Sequence, residues 1–264
     1  MAESTGKHGK GILPVADEPL GTPDSYGDDR VFLHLRNADN ADAERDAAIA
    51  ALGEAGHPTV VVNVRGANDL GGLFFFAEFA TAVAGWVLEI NPFDQPNVQE
   101  AKDNTAKVLE GYAKDGRLPE AEDADDAALK ALLDQLEPPH YLAIMGYLEP
   151  SEEFDSAISN LRSAIRKQTH VATTYGYGPR FLHSTGQMHK GGPATGVLLQ
   201  LIHDGDADAE VPEAGYSFTT LKNAQAIGDL HTLRDHGLPA QRVRLEGDRV
   251  EALERLTKKI EEML

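Results

Sequence analysis

Apolar and polar positions along the chain form alternating blocks that predict strands and helices in turn. From residue 30 onward, short apolar runs, often β-branched, are followed by longer amphipathic or Ala-rich segments. The predicted strands are Arg30–Leu35, Thr59–Val64, Tyr141–Leu148, His170–Thr174, Gly196–His203 and Arg242–Leu245. The predicted helices are Ala41–Ala55, Leu73–Glu89, Asn97–Gly111, Asp125–Gln135, Ser151–Lys167, Thr219–His236 and Arg249–Leu264. This alternation indicates an α/β fold with an open, mostly parallel sheet and helices on both faces.

Two apolar runs carry predictions about burial. The continuous β-branched run Thr59–Val64 is typical of a strand that is covered on both faces of its sheet. The longest apolar stretch, Leu70–Leu88, is interrupted by glycines and by Glu78. We therefore expect a buried helix here rather than a membrane span.

The chain divides into three parts by its pattern. Residues 1–29 are rich in Gly, Pro, Asp and Ser, and predict an irregular coil that lies on the rest of the protein. A long irregular opening is unusual for a free-standing domain, so we expect the natural chain to begin earlier. Residues 30–137 form a first α/β lobe, and residues 138–264 form a second lobe that ends in an amphipathic helix.

Composition narrows the possible partners. The net charge of −19 disfavours binding to nucleic acid and to anionic membranes. The same charge repels a sugar phosphate at long range, so a phosphate site would need local hydroxyls or helix N-termini. The chain has no cysteine and no apolar signal region at its N-terminus, which together fit the cytoplasm.

Two unusual segments carry charged side chains. The first, Ala2–Val15, contains Glu3 and several cations. The second, Ile90–Lys102, is a proline-rich turn that leads into a helix bearing Lys102. From spacing alone, Lys102 is an ordinary solvated lysine.

The third unusual segment, residues 178–193, is a Gly-rich stretch with two histidines. His183 and His189 are six residues apart, which does not place them on one helix face, and no carboxylate stands at ligand spacing. A metal site is therefore disfavoured. The segment can present donors to an oxygen-rich ligand, or it can be a structural loop with exposed histidines. The other candidate ligand-binding side chains here are Ser184, Thr185, Gln187 and Lys190.

Several common motifs are missing from the sequence. It has no GxxxxGK[ST] loop, no GxGxxG that opens a helix and no GxSxG elbow. Nucleotide cofactors and serine-hydrolase chemistry are therefore disfavoured.

At these three segments the chain resembles the phosphoglucose isomerase family. The stretch INPFDQPNVQEAK resembles that family's signature, an Asn-x-Phe-Asp-Gln block followed by a helix with a lysine. The stretch ESTGK resembles the family's glutamate-bearing segment. GPRFLHSTGQMHKGGP and SFTTLKNAQAIGDLHTLRDHG resemble the isomerase portion of transaldolase fusions. The resemblance spans almost the whole chain and implies a three-layer sugar-isomerase sandwich.

The resemblance implies a reaction and roles for individual residues. The family interconverts glucose 6-phosphate and fructose 6-phosphate through a cis-enediol, without a metal or an organic cofactor. Glu3 takes the position of the base, Lys102 that of the assisting lysine, and Gln95 that of a substrate-binding side chain. The family's ring-opening histidine is missing downstream of Glu3. His189 or His183 can replace it, and TGQMH favours His189.

The resemblance also implies partners. The family's phosphate-clamping segment does not precede Glu3, so the chain resembles the C-terminal part of an isomerase that is inactive alone. The implied partners are the sugar phosphate, an N-terminal isomerase domain, a transaldolase domain and a second copy of the chain. The alternative is a non-catalytic module for sugar-phosphate binding or oligomerisation.

Overall fold

The computed structural model describes residues 1–94, 96, 98–205 and 207–264, with the backbone alone for residues 98, 99 and 101. Its strands are β1 (Phe32–Asn37), β2 (Thr59–Val64), β3 (Tyr141–Tyr147), β4 (Ala172–Tyr177), β5 (Gly196–Ile202) and β6 (Ala240–Arg244). Its helices are α1 (Ala2–Thr5), α2 (Ala43–Glu54), α3 (Asn68–Leu88), α4 (Val98–Asp115), α5 (Asp126–Leu133), α6 (Glu152–Thr169), α7 (Thr185–Gly191), α8 (Phe218–Asp235) and α9 (Arg249–Met263).

The larger sheet has four parallel strands in the order β4-β3-β5-β6. The central strand β3 pairs with β4 on one side and with β5 on the other, so that Tyr141 lies opposite both Ala172 and Gly196. Every residue of β3 and β5 is buried, as expected for central strands of a parallel sheet. The chain order reverses between β3 and β5, which is where α/β sheets place ligand crevices at the carboxyl edge.

Helices cover both faces of this sheet. On one face, Leu142 and Ile144 of β3 pack with apolar side chains of α5, α6 and α9. On the other face, Tyr141 and Met145 pack with α8 and with Phe181, and α4 packs against α8. The α/β class with a mostly parallel sheet between helix layers is therefore confirmed.

The strands β1 and β2 form a separate parallel pair. One face of this pair is covered by α2, whose Ile49 and Leu52 pack with Phe32. The other face is open: Leu33 is 54% exposed and Val60 is 45% exposed. The prediction of a β2 strand covered on both faces is wrong for the described chain, because no second helix layer packs on that side there.

Helix α3 is not the buried helix that its sequence predicts. By length and composition it could cross a bilayer, yet only 6% of its apolar window is buried inside the protein. Phe75 and Trp86 are 69% and 79% exposed. The apolar composition of α3 favours burial. In the described part of the chain, however, α3 contacts mainly β2 and α1, and these two elements leave most of its surface exposed.

The N-terminal segment, residues 1–29, contacts α6 and β4 of the four-stranded sheet. Arg162 of α6 donates from Nη2 to the Ala16 carbonyl over 2.9 Å. The Glu18 carboxylate accepts from Arg166 at 3.2 Å and from the backbone N–H of Thr173 at 3.2 Å. The segment also contains the short helix α1, which the sequence did not predict.

The predicted Gly-rich loop of residues 178–193 is largely helical. It contains a 3₁₀ turn, Arg180–Leu182, and then α7. Gly186 and Gly191 lower the intrinsic helix propensity of α7. The helix forms in spite of this low propensity because its side chains pack into the core; Met188, for example, is only 3% exposed.

Candidate functional site

The three unusual segments of the sequence meet beside α7. The Gln187 side chain donates from Nε2 to the Gly6 carbonyl over 2.7 Å. The Gly9 N–H donates to the Gly191 carbonyl over 3.0 Å. A Cβ at Gly6 would lie 2.4 Å from Cα of Met188, so only glycine lets the two backbones come this close. The N-terminal segment is thereby held against α7.

The same N-terminal segment is bonded to the turn between α3 and α4. Lys7 donates from Nζ to the Asn91 carbonyl over 2.9 Å and to Oδ1 of Asp94 over 2.7 Å. Lys10 donates from Nζ to the Leu88 carbonyl over 2.6 Å. The hydrogen bond from Lys7 holds the pKa of the Asp94 carboxyl below its ordinary value.

Glu3 lies on α1, within this assembly. Its side chain is half-buried. Among the residues that the structure describes, no hydrogen bond or ion pair engages its carboxylate.

Lys102 projects from the second turn of α4 and is exposed. The contacts that fix α4 to α8 are made by its neighbours: Asn104 donates to Thr232 over 2.8 Å, and Glu100 lies 2.8 Å from His236. Lys102 is therefore an exposed residue on an anchored helix. Gln95, the other candidate from this segment, lies outside the described residues.

The start of α7 brings together three candidate side chains. His183 is exposed, and its Nδ1 lies 3.0 Å from Oγ of Ser184. Ser184 has φ 51 and ψ −114, in a region that costs a non-Gly residue about 1–3 kcal/mol. Thr185 follows and is half-buried. These polar groups reach the surface.

His189 lies in the core. Its Nδ1 is 2.8 Å from the Tyr141 hydroxyl, and the two rings stack at 5.8 Å. Burial, and then the charge of Lys190, lowers the pKa of His189 to about 3. The imidazole is therefore neutral and out of reach of solvent.

Gln187 and Lys190 are also directed into the protein. Gln187 is 1% exposed. Lys190 is ion-paired with Asp229 at 2.6 Å and donates to the Phe181 carbonyl over 2.6 Å. The Tyr147 hydroxyl donates to the other carboxylate oxygen of Asp229 over 3.1 Å. Both side chains hold α7 in place.

Lys7 and Asp229 are the polar residues of this region whose importance the sequence did not reveal. Lys7 is one of three cations in its segment and carries no local mark of burial. Asp229 stands among the apolar residues of α8. A carboxylate within the apolar stripe of a helix is the one signal that predicts a buried charge partner.

A separate cleft of about 390 Å³ lies at the carboxyl edge of β5 and β6. Arg242 and Arg244 line it, but Asp123 accepts from Arg242 at 2.7 Å and Asp204 from Arg244 at 2.6 Å. Their charges are thus already neutralised. No group of three or more potential metal ligands occurs among the residues that the structure describes.

Comparison with known proteins bears on this assembly. The chain is similar to glucose-6-phosphate isomerases. It is 29% identical to that of Leptospira biflexa over 152 residues, which cover 43% of this chain and 34% of the enzyme. It is 41% identical to that of Fusobacterium nucleatum over 63 residues, or 22% of this chain and 14% of the enzyme. The chain thus spans about a third or less of the length of these relatives. No protein-family model matches it.

A solved structure also aligns with the chain. It is a hypothetical protein from Thermus thermophilus, with a TM-score of 0.41 and 16% sequence identity. The alignment covers 88% of this chain and 55% of that protein.

Proposed function

We propose that the chain is the C-terminal part of an aldose–ketose isomerase that interconverts glucose 6-phosphate and fructose 6-phosphate. One observation carries the proposal: the segment with Glu3 is tied through Lys7 and Asp94 to the turn that precedes the helix bearing Lys102. These motifs are far apart in sequence, yet they share one set of contacts. Similarity to isomerases supports the same conclusion.

Glu3 is the general base in this proposal. Its carboxylate takes the proton from C2 of the open-chain aldose and returns it to C1, while a proton moves from O2 to O1 through a cis-enediol. A half-buried carboxylate that no described residue engages suits this transfer.

Lys102 and His183 are assigned the supporting roles. The exposed Lys102 ammonium can stabilise the negative charge that develops on the enediolate oxygens. Ring opening needs a side chain that reaches the ring oxygen, and His183 is exposed whereas His189 is 3% exposed. We therefore assign ring opening to His183, which reverses the order that the sequence suggested.

Sugar hydroxyls are expected to bond to surface polar groups near His183. Ser184 and Thr185 are only partly buried and stand at the start of α7. Gln187 and Lys190, by contrast, are used to hold α7 and the N-terminal segment together. Their proposed role changes from ligand binding to support.

A separate sugar-phosphate-binding domain completes the proposed site. The net charge of −19 opposes capture of a phosphate by this chain alone. The open face of the β1–β2 pair supports an added domain, because parallel sheets are normally covered on both faces. An N-terminal isomerase domain, a transaldolase domain and a second copy remain the partners implied by the resemblance.

A cytoplasmic location belongs to the same proposal. Glu78 stands at the midpoint of α3 and is exposed. A carboxylate at that depth would cost about 2.5–3.5 kcal/mol on insertion scales, which disfavours a bilayer-spanning α3.

The test is a coupled assay of fructose 6-phosphate isomerisation, on the chain alone and then with a sugar-phosphate-binding isomerase domain supplied. In the active form, Glu3→Gln should lower kcat by about 10²–10⁴-fold, because the base is lost. Lys102→Met should lower it by about 10²–10³-fold. Lys107→Met, an exposed lysine on the same helix, should leave kcat unchanged.

Two outcomes contradict this assignment. Isomerisation that survives Glu3→Gln shows that another group is the base. Fructose 6-phosphate that binds without exchange of its sugar protons for solvent deuterium indicates the second candidate, a non-catalytic binding or oligomerisation module. The burial of Gln187, His189 and Lys190 favours that candidate, since a support role needs no chemistry.

A further inference from the structure

Lys7 and Lys10 are the first and last residues of a tight turn. Each donates its N–H to the other's carbonyl, over 3.1 Å from Lys7 and 3.0 Å from Lys10. His8 and Gly9 between them have φ of 55 and 73, the two positive values of a type I′ turn. Residues paired in this way project their side chains to the same side.

Both ammonium groups reach the connection between α3 and α4. Lys10 bonds to the Leu88 carbonyl at the end of α3, where a lysine commonly caps a helix. Lys7 bonds farther along, to the Asn91 carbonyl, and to both the carbonyl and the carboxylate of Asp94. The connection is thus held at two places by one turn.

The two lysines differ in burial. Lys7 is 0% exposed, so a ligand cannot touch it. A buried ammonium with three acceptors has little freedom, because each charge-assisted bond lost inside the protein is costly. Lys10 is half-buried with one acceptor, and it holds only the end of α3. Lys10, on the same turn, therefore serves as the control for Lys7, because its one bond does not reach the residues next to α4.

We propose that Lys7 is a positioning residue, which fixes the segment carrying Glu3 relative to the helix carrying Lys102. The inference rests on the proposed function for the roles of Glu3 and Lys102. Glu3 lies in α1 and Lys7 lies in the turn that directly follows this helix, while Asp94 stands just before α4. Lys7 acts through these neighbours and not on the substrate.

The first experiment measures the geometry without reference to activity. The chain has no cysteine, so Ser4→Cys and Lys107→Cys give two specific spin-label sites, one on α1 and one on α4. Electron–electron double resonance should give one narrow distance distribution in the parent chain. Lys7→Met should broaden and shift it, and Lys10→Met should leave it unchanged.

The second experiment measures kinetics in the active form identified by the isomerase assay. Lys7→Met should lower kcat by about 100-fold, the loss expected for a displacement of about 1 Å at a reacting group. KM should stay within about threefold, because Lys7 makes no contact with the sugar. Lys10→Met should leave both values unchanged.

The outcomes separate this inference from the proposed function. An unchanged distance distribution in Lys7→Met overturns the positioning role. Broadening without loss of kcat overturns the role in catalysis, while the Glu3 and Lys102 variants decide the proposed function independently. If circular dichroism shows that Lys7→Met does not fold, Asp94→Ala takes its place. It removes the half-exposed carboxylate that accepts from Lys7, and an unaltered distance distribution there overturns the inference.

Discussion

His189 occupies a core position in which its charged form is disfavoured. Its pKa is lowered from 6.5 to about 3, mainly by burial. Between these values the unfolded chain binds a proton that the folded chain does not, so the free energy of unfolding falls as the pH drops below 6.5. Each pH unit in that window corresponds to about 1.4 kcal/mol.

Replacing this imidazole should remove that part of the acid sensitivity. Between about pH 7.5 and pH 5, the parent chain should lose about 2 kcal/mol more unfolding free energy than His189→Gln. Urea unfolding at the two pH values measures the difference. His183→Gln, at an exposed position, should behave like the parent. An equal loss in the parent and in His189→Gln would show that His189 is protonated in the folded state.

The exposure of a single side chain was predictable from the sequence where the residue follows the usual preference of its type. Lys102 is exposed, as lysines on polar helix faces usually are. Lys190 is buried because Asp229 on another helix neutralises it. Nothing near Lys190 in the sequence indicates that pairing, so its burial could not be predicted from local pattern.

Secondary structure was predictable where apolar periodicity is strong. The observed β2 has the predicted bounds Thr59–Val64, and α6 starts after Ser151 as its capping residue predicts. Helix α7 was not predictable, because its glycines suggest a loop and its stability comes from tertiary packing. The exposure of α3 was not predictable either. An apolar composition indicates that a helix favours burial, but it does not indicate whether another element of the chain covers that helix.

Two glycines should respond in opposite ways to substitution by alanine, because only one of them lies at the close approach of the N-terminal segment to α7. Gly6→Ala should destabilise the protein by about 3 kcal/mol, because its Cβ would lie 2.4 Å from a backbone atom that cannot move aside. Gly111→Ala lies in α4 with nothing within 4 Å of a new Cβ, and should stabilise by about 0.5–1 kcal/mol. Thermal and urea unfolding measure both changes.

Stabilisation by Gly6→Ala would contradict the contact between Gly6 and Met188. That contact also sets how closely α1 and its Glu3 lie against α7.

At the scale of the whole molecule, the chain combines a net charge of −19 with a broad apolar surface on β1, β2 and α3. The charge keeps copies of the chain apart, whereas the apolar surface favours association. The α/β class followed from the pattern of alternating elements. The convergence of the three segments did not, because it depends on long-range bonds such as that from Lys7 to Asp94.

The exposure of α3 also has an optical consequence. Trp86 is the only tryptophan of the chain, and it is 79% exposed on that helix. All tryptophan emission therefore comes from one solvated indole, and we expect a red-shifted maximum that acrylamide quenches readily. A blue-shifted, protected emission from the isolated chain would contradict an exposed α3. Any partner that covers the helix should shift the emission to shorter wavelength, so the protein carries its own fluorescent reporter of that contact.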